Sequence, residues 1–267
     1  MASSGPVRGP DSRRGEPVAD SGDTGLTPGL AAAWGLRERP AKGPRPGLSV
    51  HRIVDAAVAV AAAEGLAAVS MGRVAKELGV STMSLYRYVG SKDELYVLMQ
   101  DAAIGAPPDP PPPGTGWREA LTAWAWAQRA MFQRNLWVLH VPVSGPPVTP
   151  HSVAWWETGM AALGDTPLDE GAKISVVLLI GGFVRNETRV MADIDAAAAA
   201  TGDSPEQVMG RYGRTLRLLA DPGRYPSVAR ALDSGVMEGP GDPDHEFRFG
   251  LECLLDGVEV LVERLAR

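Results

Sequence analysis

Between Pro107 and Pro113, six of seven residues are proline. Proline fixes φ, lacks an N–H and drives the residue before it out of the helical region, so neither a helix nor a central strand can run through APPDPPPPG (Ala106–Gly114). An extended polyproline II segment is expected there. Structure on the two sides must be built separately, which predicts a compact unit over 48–105, a linker over 106–114 and a larger unit over 115–267. Residues 1–47 carry seven more prolines and almost no apolar periodicity. Such a stretch cannot bury enough surface to offset its ordering entropy, and it is expected to be a disordered tail.

Within the first unit, Val50, Ile53, Val54, Ala57, Val60 and Ala61 follow the i, i+3, i+4, i+7 stripe of an amphipathic helix that Gly65 ends. Met71, Val74, Ala75 and Leu78 repeat the stripe over a shorter length, with Ser70 as N-cap. Gly79 supplies a left-handed turn, and Ser81 caps a third helix expected to reach about Val89. Ser91 and Glu94 have the spacing of a capping box, opening a fourth helix through Leu95, Leu98, Met99 and Ala102. The larger unit also reads as helical, near 117–137, 148–163, 168–199, 204–219, 225–234 and 244–266. Gly/Pro/Asp clusters separate these segments, and Ala196–Ala200 is expected to fray. The fold class is all-α.

The bulk properties narrow the function. No run of about 18 apolar residues marks a membrane span, and the N-terminus lacks the apolar stretch of a secretory signal. Cys253 is the single cysteine, which excludes an internal disulfide, and a reducing cytoplasm is the expected compartment. No Gly-rich nucleotide loop, nucleophile elbow or zinc-protease motif occurs, so no enzyme, cofactor or metal is expected. His245 beside Asp242, Asp244 and Glu246 could hold a metal, but a solvated loop is the simpler reading.

The segment GVSTMSLYRYVGSKDEL (Gly79–Leu95) has too many hydroxyls and tyrosines for a buried helix. Two helical stripes joined by Gly79-Val80-Ser81 have the dimensions of a helix-turn-helix, whose second helix enters the major groove by its N-terminal end. Leu85 can face inward as the anchor. Thr82, Met83, Tyr86 and Arg87 then face outward, with the hydroxyls of Ser81, Thr82 and Ser84 nearby. Hydroxyls can meet base edges or phosphates, Met83 can press a thymine methyl, and Lys92 at the next helix start can meet a phosphate. A helical hairpin with a merely polar face would explain the helices but not this choice of residues.

The stretch RIVDAAVAVAAAEGLAAVSMGRVAKELGVSTMSLYRYVGSKDEL (Arg52–Leu95) resembles the DNA-binding domain of TetR-family transcriptional regulators. The later part resembles the tetracycline-repressor branch, with Trp117 to Leu121 opening a helical regulatory domain. The resemblance implies base or groove contacts from Ser81, Thr82, Met83 and Arg87, and phosphate contacts from Ser70, Tyr86, Tyr88 and Lys92. It also implies a homodimer on a palindromic operator, released by a small-molecule effector. Many relatives carry a polar side chain where this chain has Met71 and Gly72. Arg73 is the nearest substitute, about 100° further around the helix.

Electrostatics run against this expectation. Ser49–Ile104 holds Lys/Arg at 52, 73, 76, 87 and 92 and Asp/Glu at 55, 64, 77, 93, 94 and 101, one more acid than base. Phosphate attraction ordinarily supplies much of DNA affinity. The stretch Arg37–Arg52, with five cations and one Glu, is either a solubilising linker or a basic arm that compensates.

In the larger unit, Ile174, Val177, Leu178 and Val184 line one side of the 168–199 helix, and Val176, Ile180 and Phe183 line another. A helix apolar all round is buried on both faces. The last helix has Phe247, Leu251, Leu254, Val258, Leu261 and Leu265 at amphipathic spacing; the family implies that these two helices pack against their copies. Tryptophans cluster at 124, 126, 137, 155 and 156, which is ordinary core or the wall of an apolar ligand pocket. Taken as a pocket, the cluster predicts ligand contacts from Trp124, Gln128, Met131, Trp155, Leu179 and Phe183, with Asn186 and Glu187 as polar handles. A helical adaptor that binds only protein, or an activator without a ligand, are the alternatives.

Overall fold

The computed structural model describes residues 26–36, 47–236 and 242–267. Among them every regular element is a helix: α1 (Pro28–Ala33), α2 (Val50–Glu64), α3 (Met71–Leu78), α4 (Thr82–Tyr86), α5 (Lys92–Ile104), α6 (Trp117–Arg134), α7 (Pro150–Ala162), α8 (Glu170–Thr201), α9 (Pro205–Leu219), α10 (Pro226–Asp233) and α11 (His245–Leu265). Short 3-10 turns follow α2 at Leu66–Ala68 and α6 at Leu136–His140.

The first unit is α2–α5. The predicted stripe of α2 is the one it buries, Ile53, Val54, Ala57, Val60 and Ala61, against α3 and α5. Ser49, Ser70, Ser81 and Ser91 each accept a hydrogen bond from the backbone N–H three residues on. Gly79 closes α3 at φ 66° and ψ 31°, a region that a Cβ resists. This turn sets α4 across α3.

Two local expectations need correction. α4 stops at Tyr86, because the N–H groups of Tyr88 and Val89 both return to the Leu85 carbonyl, at 2.8 and 3.0 Å, and the tightened chain delivers Val89 to the core. The Ser91/Glu94 capping box is only half formed. Ser91 Oγ accepts from Glu94 N, but the Glu94 carboxylate turns to Gly90 N at 2.5 Å, Gly29 N at 2.9 Å and the Thr27 hydroxyl.

Those last two partners correct the disordered-tail expectation for residues 26–36. Here α1 is capped by Thr27 and lies on α5, so close that a Cβ on Gly29 would stand 2.9 Å from Leu98 Cδ1. A six-residue helix is too short to stand alone in water; its stability comes from this seat. The rest of the tail (1–25 and 37–46), including most of the basic stretch, lies outside the described residues.

After the proline segment, α6, α7, α8 and α11 surround Leu121, Trp124, Trp155, Val177, Ile180, Phe247, Leu251 and Leu255, continuous with the apolar core of the first unit. α8 does not fray: Ala198 is buried and the helix holds to Thr201, where Gly202 at φ 73° closes it. The two units meet along the C-terminal half of α5. Asn135 Nδ2 donates to Ala103 O, Trp155 Nε1 to Gly105 O, and the backbone N–H groups of His151 and Ser152 to Asp101 Oδ1.

Candidate nucleic-acid interface and regulatory site

One fully buried side chain, Leu85, anchors α4. Burying a leucine contributes about 1.5–3 kcal/mol, enough to seat a helix of one and a half turns and leave its other faces outside. Met83 is 73% exposed and Tyr86 47%, and Thr82 and Arg87 are exposed beside them. Ser84 is half-buried and its hydroxyl shares a 2.9 Å hydrogen bond with that of Ser81. Ser70 Oγ accepts from Arg73 N at 3.1 Å, which leaves its proton available to a phosphate. Lys92 is exposed at the first residue of α5, with Nζ 5.0 Å from the Tyr96 ring centre. Tyr88 is half-buried with its ring on the core.

Arg73 is engaged elsewhere. Its two terminal nitrogens each lie 2.7 Å from a carboxylate, Glu64 and Glu77, so it does not replace the side chain that Gly72 lacks. Gly72 is exposed and nothing stands within 4 Å of a Cβ placed on it.

The charge discord eases for a related reason. Glu94 and Asp101 are 8% and 7% exposed and are held by inward N–H donors. On the surface of Ser49–Ile104, five cations therefore face four carboxylates, and two of those four are tied to Arg73. Arg52, Lys76, Arg87 and Lys92 make no ion pair among the described residues.

The predicted ligand residues do not gather in one place. Trp124, Met131 and Trp155 are buried at 3%, 3% and 5% exposure. Trp124 Nε1 donates to Trp155 O at 3.0 Å, and a Cβ on Gly159 would meet the Trp124 ring at 2.9 Å, so this pair is packed as core. Gln128 is half-buried near Gly181, beside Trp124. Leu179 is 52% exposed and, with Leu178, Gly182, Phe183, Gly250, Cys253 and Leu254, lines an open apolar groove between α8 and α11. The face of α8 that bears Leu178 and Leu179 is thus open in the single chain. Asn186 is exposed.

Glu187 turns inward instead. Its carboxylate lies 3.6 Å from Arg129 Nε, and Arg129 also donates to Asp244 at 2.6 Å and packs on the rings of Trp126 and Phe247. Burial pushes the Glu187 carboxyl above its ordinary range, with Arg129 opposing that shift. Sequence reasoning missed Arg129. The signal was present: Ala125, Arg129 and Phe132 share one buried stripe of α6, and a charge on such a stripe requires a buried partner. Near His245, Asp242 and Asp244 are committed to Arg248 and Arg129.

Comparison with known proteins agrees with this architecture. Residues 53–99 match the family described as bacterial regulatory proteins, tetR family, and residues 109–262 match the tetracyclin repressor-like C-terminal domain. The chain is 38% identical over 246 residues to the HTH-type transcriptional repressor DrrR1 of Streptomyces coeruleorubidus, covering 92% of this chain and 89% of that protein. An HTH-type transcriptional regulator of Saccharopolyspora erythraea is 29% identical over 227 residues, 85% of this chain and 91% of its own. Among solved structures, ActR of Streptomyces coelicolor, a TetR family protein, superposes with a TM-score of 0.64 at 26% identity, over 80% of this chain and 98% of its own, in a crystal with (S)-DNPA. A helix-turn-helix with an exposed second helix, joined to a helical domain of this type, makes the chain a member of the tetR family of DNA-binding transcriptional regulators.

Proposed function

We propose that the protein is a ligand-responsive repressor that binds a palindromic operator as a homodimer in the cytoplasm and is released by a small hydrophobic or aromatic effector. The observation that carries DNA recognition is the face of α4, where Thr82, Met83, Tyr86 and Arg87 stand outside a helix fixed by Leu85. In this reading Met83, Thr82, Ser81 and Arg87 read base edges, while Ser70, Tyr86, Tyr88 and Lys92 hold phosphates. Repression is favoured over activation by the similarity to DrrR1, named as a repressor.

Dimerisation is supported by the open side of α8 and α11. Leu178 is 63% exposed and Val260 55%, beside the groove lined by Leu179, Phe183 and Leu254. Two such faces related by a twofold axis cover each other and set two α4 helices about one DNA turn, or a multiple, apart.

An effector is supported by the ActR complex and by four buried polar atoms that lack a hydrogen-bond partner among the described residues: Arg129 Nε, Glu187 Oε1, Trp137 Nε1 and Trp156 Nε1. Each such atom costs about 1–3 kcal/mol unless water or a ligand satisfies it. Of the expected contacts, Gln128 and Glu187 remain proposed, with Arg129 added beside Glu187; Trp124, Met131 and Trp155 are packed as core, Leu179 and Phe183 line the open groove, and Asn186 is exposed.

The test starts with selection of duplexes from a random pool by the full-length protein, followed by anisotropy titration of the selected sequence. Enrichment of a palindrome, lost when α4 is altered, is the expected result. No enrichment at low salt would overturn DNA recognition in favour of a protein-binding adaptor.

A further inference from the structure

Glu94 and Asp101 stand two turns apart on α5, and each is a buried carboxylate that binds a different neighbour. Asp101 accepts from the His151 and Ser152 N–H groups at the start of α7, at 2.9 and 3.2 Å, with His151 Nδ1 3.2 Å from its other oxygen. Glu94 accepts from Gly29 N and the Thr27 hydroxyl at the start of α1. Just past the far end of α1, Trp34 Nε1 donates to Val148 O at 2.8 Å, three residues before His151. The bonds close a ring: Glu94 to α1, α1 through Trp34 to Val148, Val148 along the chain to His151, and His151 to Asp101.

The ring changes the mechanics of α5. Without α1, the helix is tied to the regulatory unit at its C-terminal half, through Asp101, Ala103 and Gly105, and the first unit also meets it where the Leu66–Ala68 turn packs near Leu136–His140. The N-terminal end of α5, which follows α4, lies roughly 16 Å from that attachment at 1.5 Å per residue. A tilt of about 10° at the attachment would carry it roughly 3 Å along that lever. The contact through α1 holds the free end as well.

We infer that residues 26–36 form a strap that clamps α5 to the start of α7, and that Glu94 and Trp34 are positioning residues through which it fixes the placement of α4. This rests on the regulator reading above, since the placement of α4 matters only for a dimer reading two half-sites. Glu94 and Trp34 need touch neither DNA nor effector. They act on the angle at which the first unit hangs from the second, and so on the half-site spacing the dimer accepts.

Two full-length variants test the strap from opposite ends. Trp34→Phe keeps a ring but removes the donor to Val148, and Thr27→Val keeps the shape but removes the donor to Glu94. Hydrogen exchange read by mass spectrometry should rise in residues 92–98 and 147–152 in both, although these segments are distant in sequence from the substitutions. Confinement of the change to residues 26–36 would overturn the strap. On the selected operator, both variants should bind the native spacing within about twofold of wild type and lose about fivefold or more of the discrimination against one inserted or deleted base pair. Unchanged discrimination, with only a lowered melting temperature, would reduce α1 to a stabilising appendage. If wild type selects no duplex, the regulator reading falls, while the exchange experiment still decides the strap.

Discussion

Arg129 and Glu187 face each other across α6 and α8 at 3.6 Å, with side chains only 6% and 10% exposed. That separation is too long for a hydrogen bond, and Arg129 Nε and Glu187 Oε1 are both without a hydrogen-bond partner among the described residues. The pair therefore interacts mainly by charge, in a place where desolvation opposes the ionised carboxyl.

A pH dependence follows. Burial raises the folded-state pKa of Glu187 above the ordinary 4.5, so the native state holds its proton more tightly than the unfolded chain does. Stability linked to this group is fully present below that ordinary value and is lost as pH rises through the raised one. Calorimetry of wild type and Glu187→Gln from acid to neutral pH should show wild type losing melting temperature relative to the variant as pH climbs. Parallel curves would mean that Glu187 titrates normally.

On the DNA face, Lys92→Ala should weaken binding to all sequences and reduce the slope of log K against log[salt] by about one unit. Thr82→Ala and Met83→Ala should instead change preference among operator variants, by about 1 kcal/mol at the affected base pair, the low end for a base contact. Competition titrations with single-base substitutions separate these patterns.

Gly72 offers a gain-of-function test. Its Cβ position is open and exposed in the first turn of α3, so Gly72→Arg should fold, the gain in helix propensity being offset by a cation near the positive end of the helix. It should also tighten operator binding and steepen the salt dependence. Arg73→Ala should leave base preference unchanged, because Glu64 and Glu77 already hold that side chain.

Dimerisation should respond to where on α11 a charge is placed. Leu254 lines the open groove, whereas Val258, predicted from the stripe to lie in the seam, is 4% exposed within its own protomer. Leu254→Glu should give a folded monomer by sedimentation, with operator binding lost. Val258→Glu should unfold the protomer, since an unpaired buried charge has no compensation.

The basic stretch needs a test other than deletion, since removing residues 1–45 would also remove α1. Replacing Arg37, Arg39, Lys42 and Arg45 by glutamine should flatten the salt dependence if the stretch follows the phosphate backbone. An equal slope would leave it as a plain linker.

Local pattern made most helices legible. The Ile53–Ala61 stripe, the serine caps and the left-handed Gly79 each act within a few residues, so sequence carries them directly. α1 was not legible, because PGLAAA has neither length nor periodicity and is held by a glutamate 65 positions away from Gly29. The half-formed box at Ser91 has the same origin: the carboxylate that would close it is claimed by α1. The tryptophan cluster misled for another reason. Aromatic spacing is the same in a pocket wall and in a packed core, and only tertiary distances, such as Gly159 against Trp124, distinguish them.

The engagement of Arg73, with Gly72 beside it, bears on how many copies of the protein a cell requires. In the proposed reading, hydroxyls, one methionine and Arg87 meet the base edges, so all but one of these contacts would forfeit less energy at a mismatch than a bidentate arginine would exact. The gap between operator and bulk chromosome narrows accordingly, against roughly 10⁶–10⁹ competing sites in a genome. Occupancy then depends on titration as much as on affinity. A chain of this design suits a regulator kept at a copy number high enough to fill its sites despite that sink, or one whose targets cluster several half-sites together.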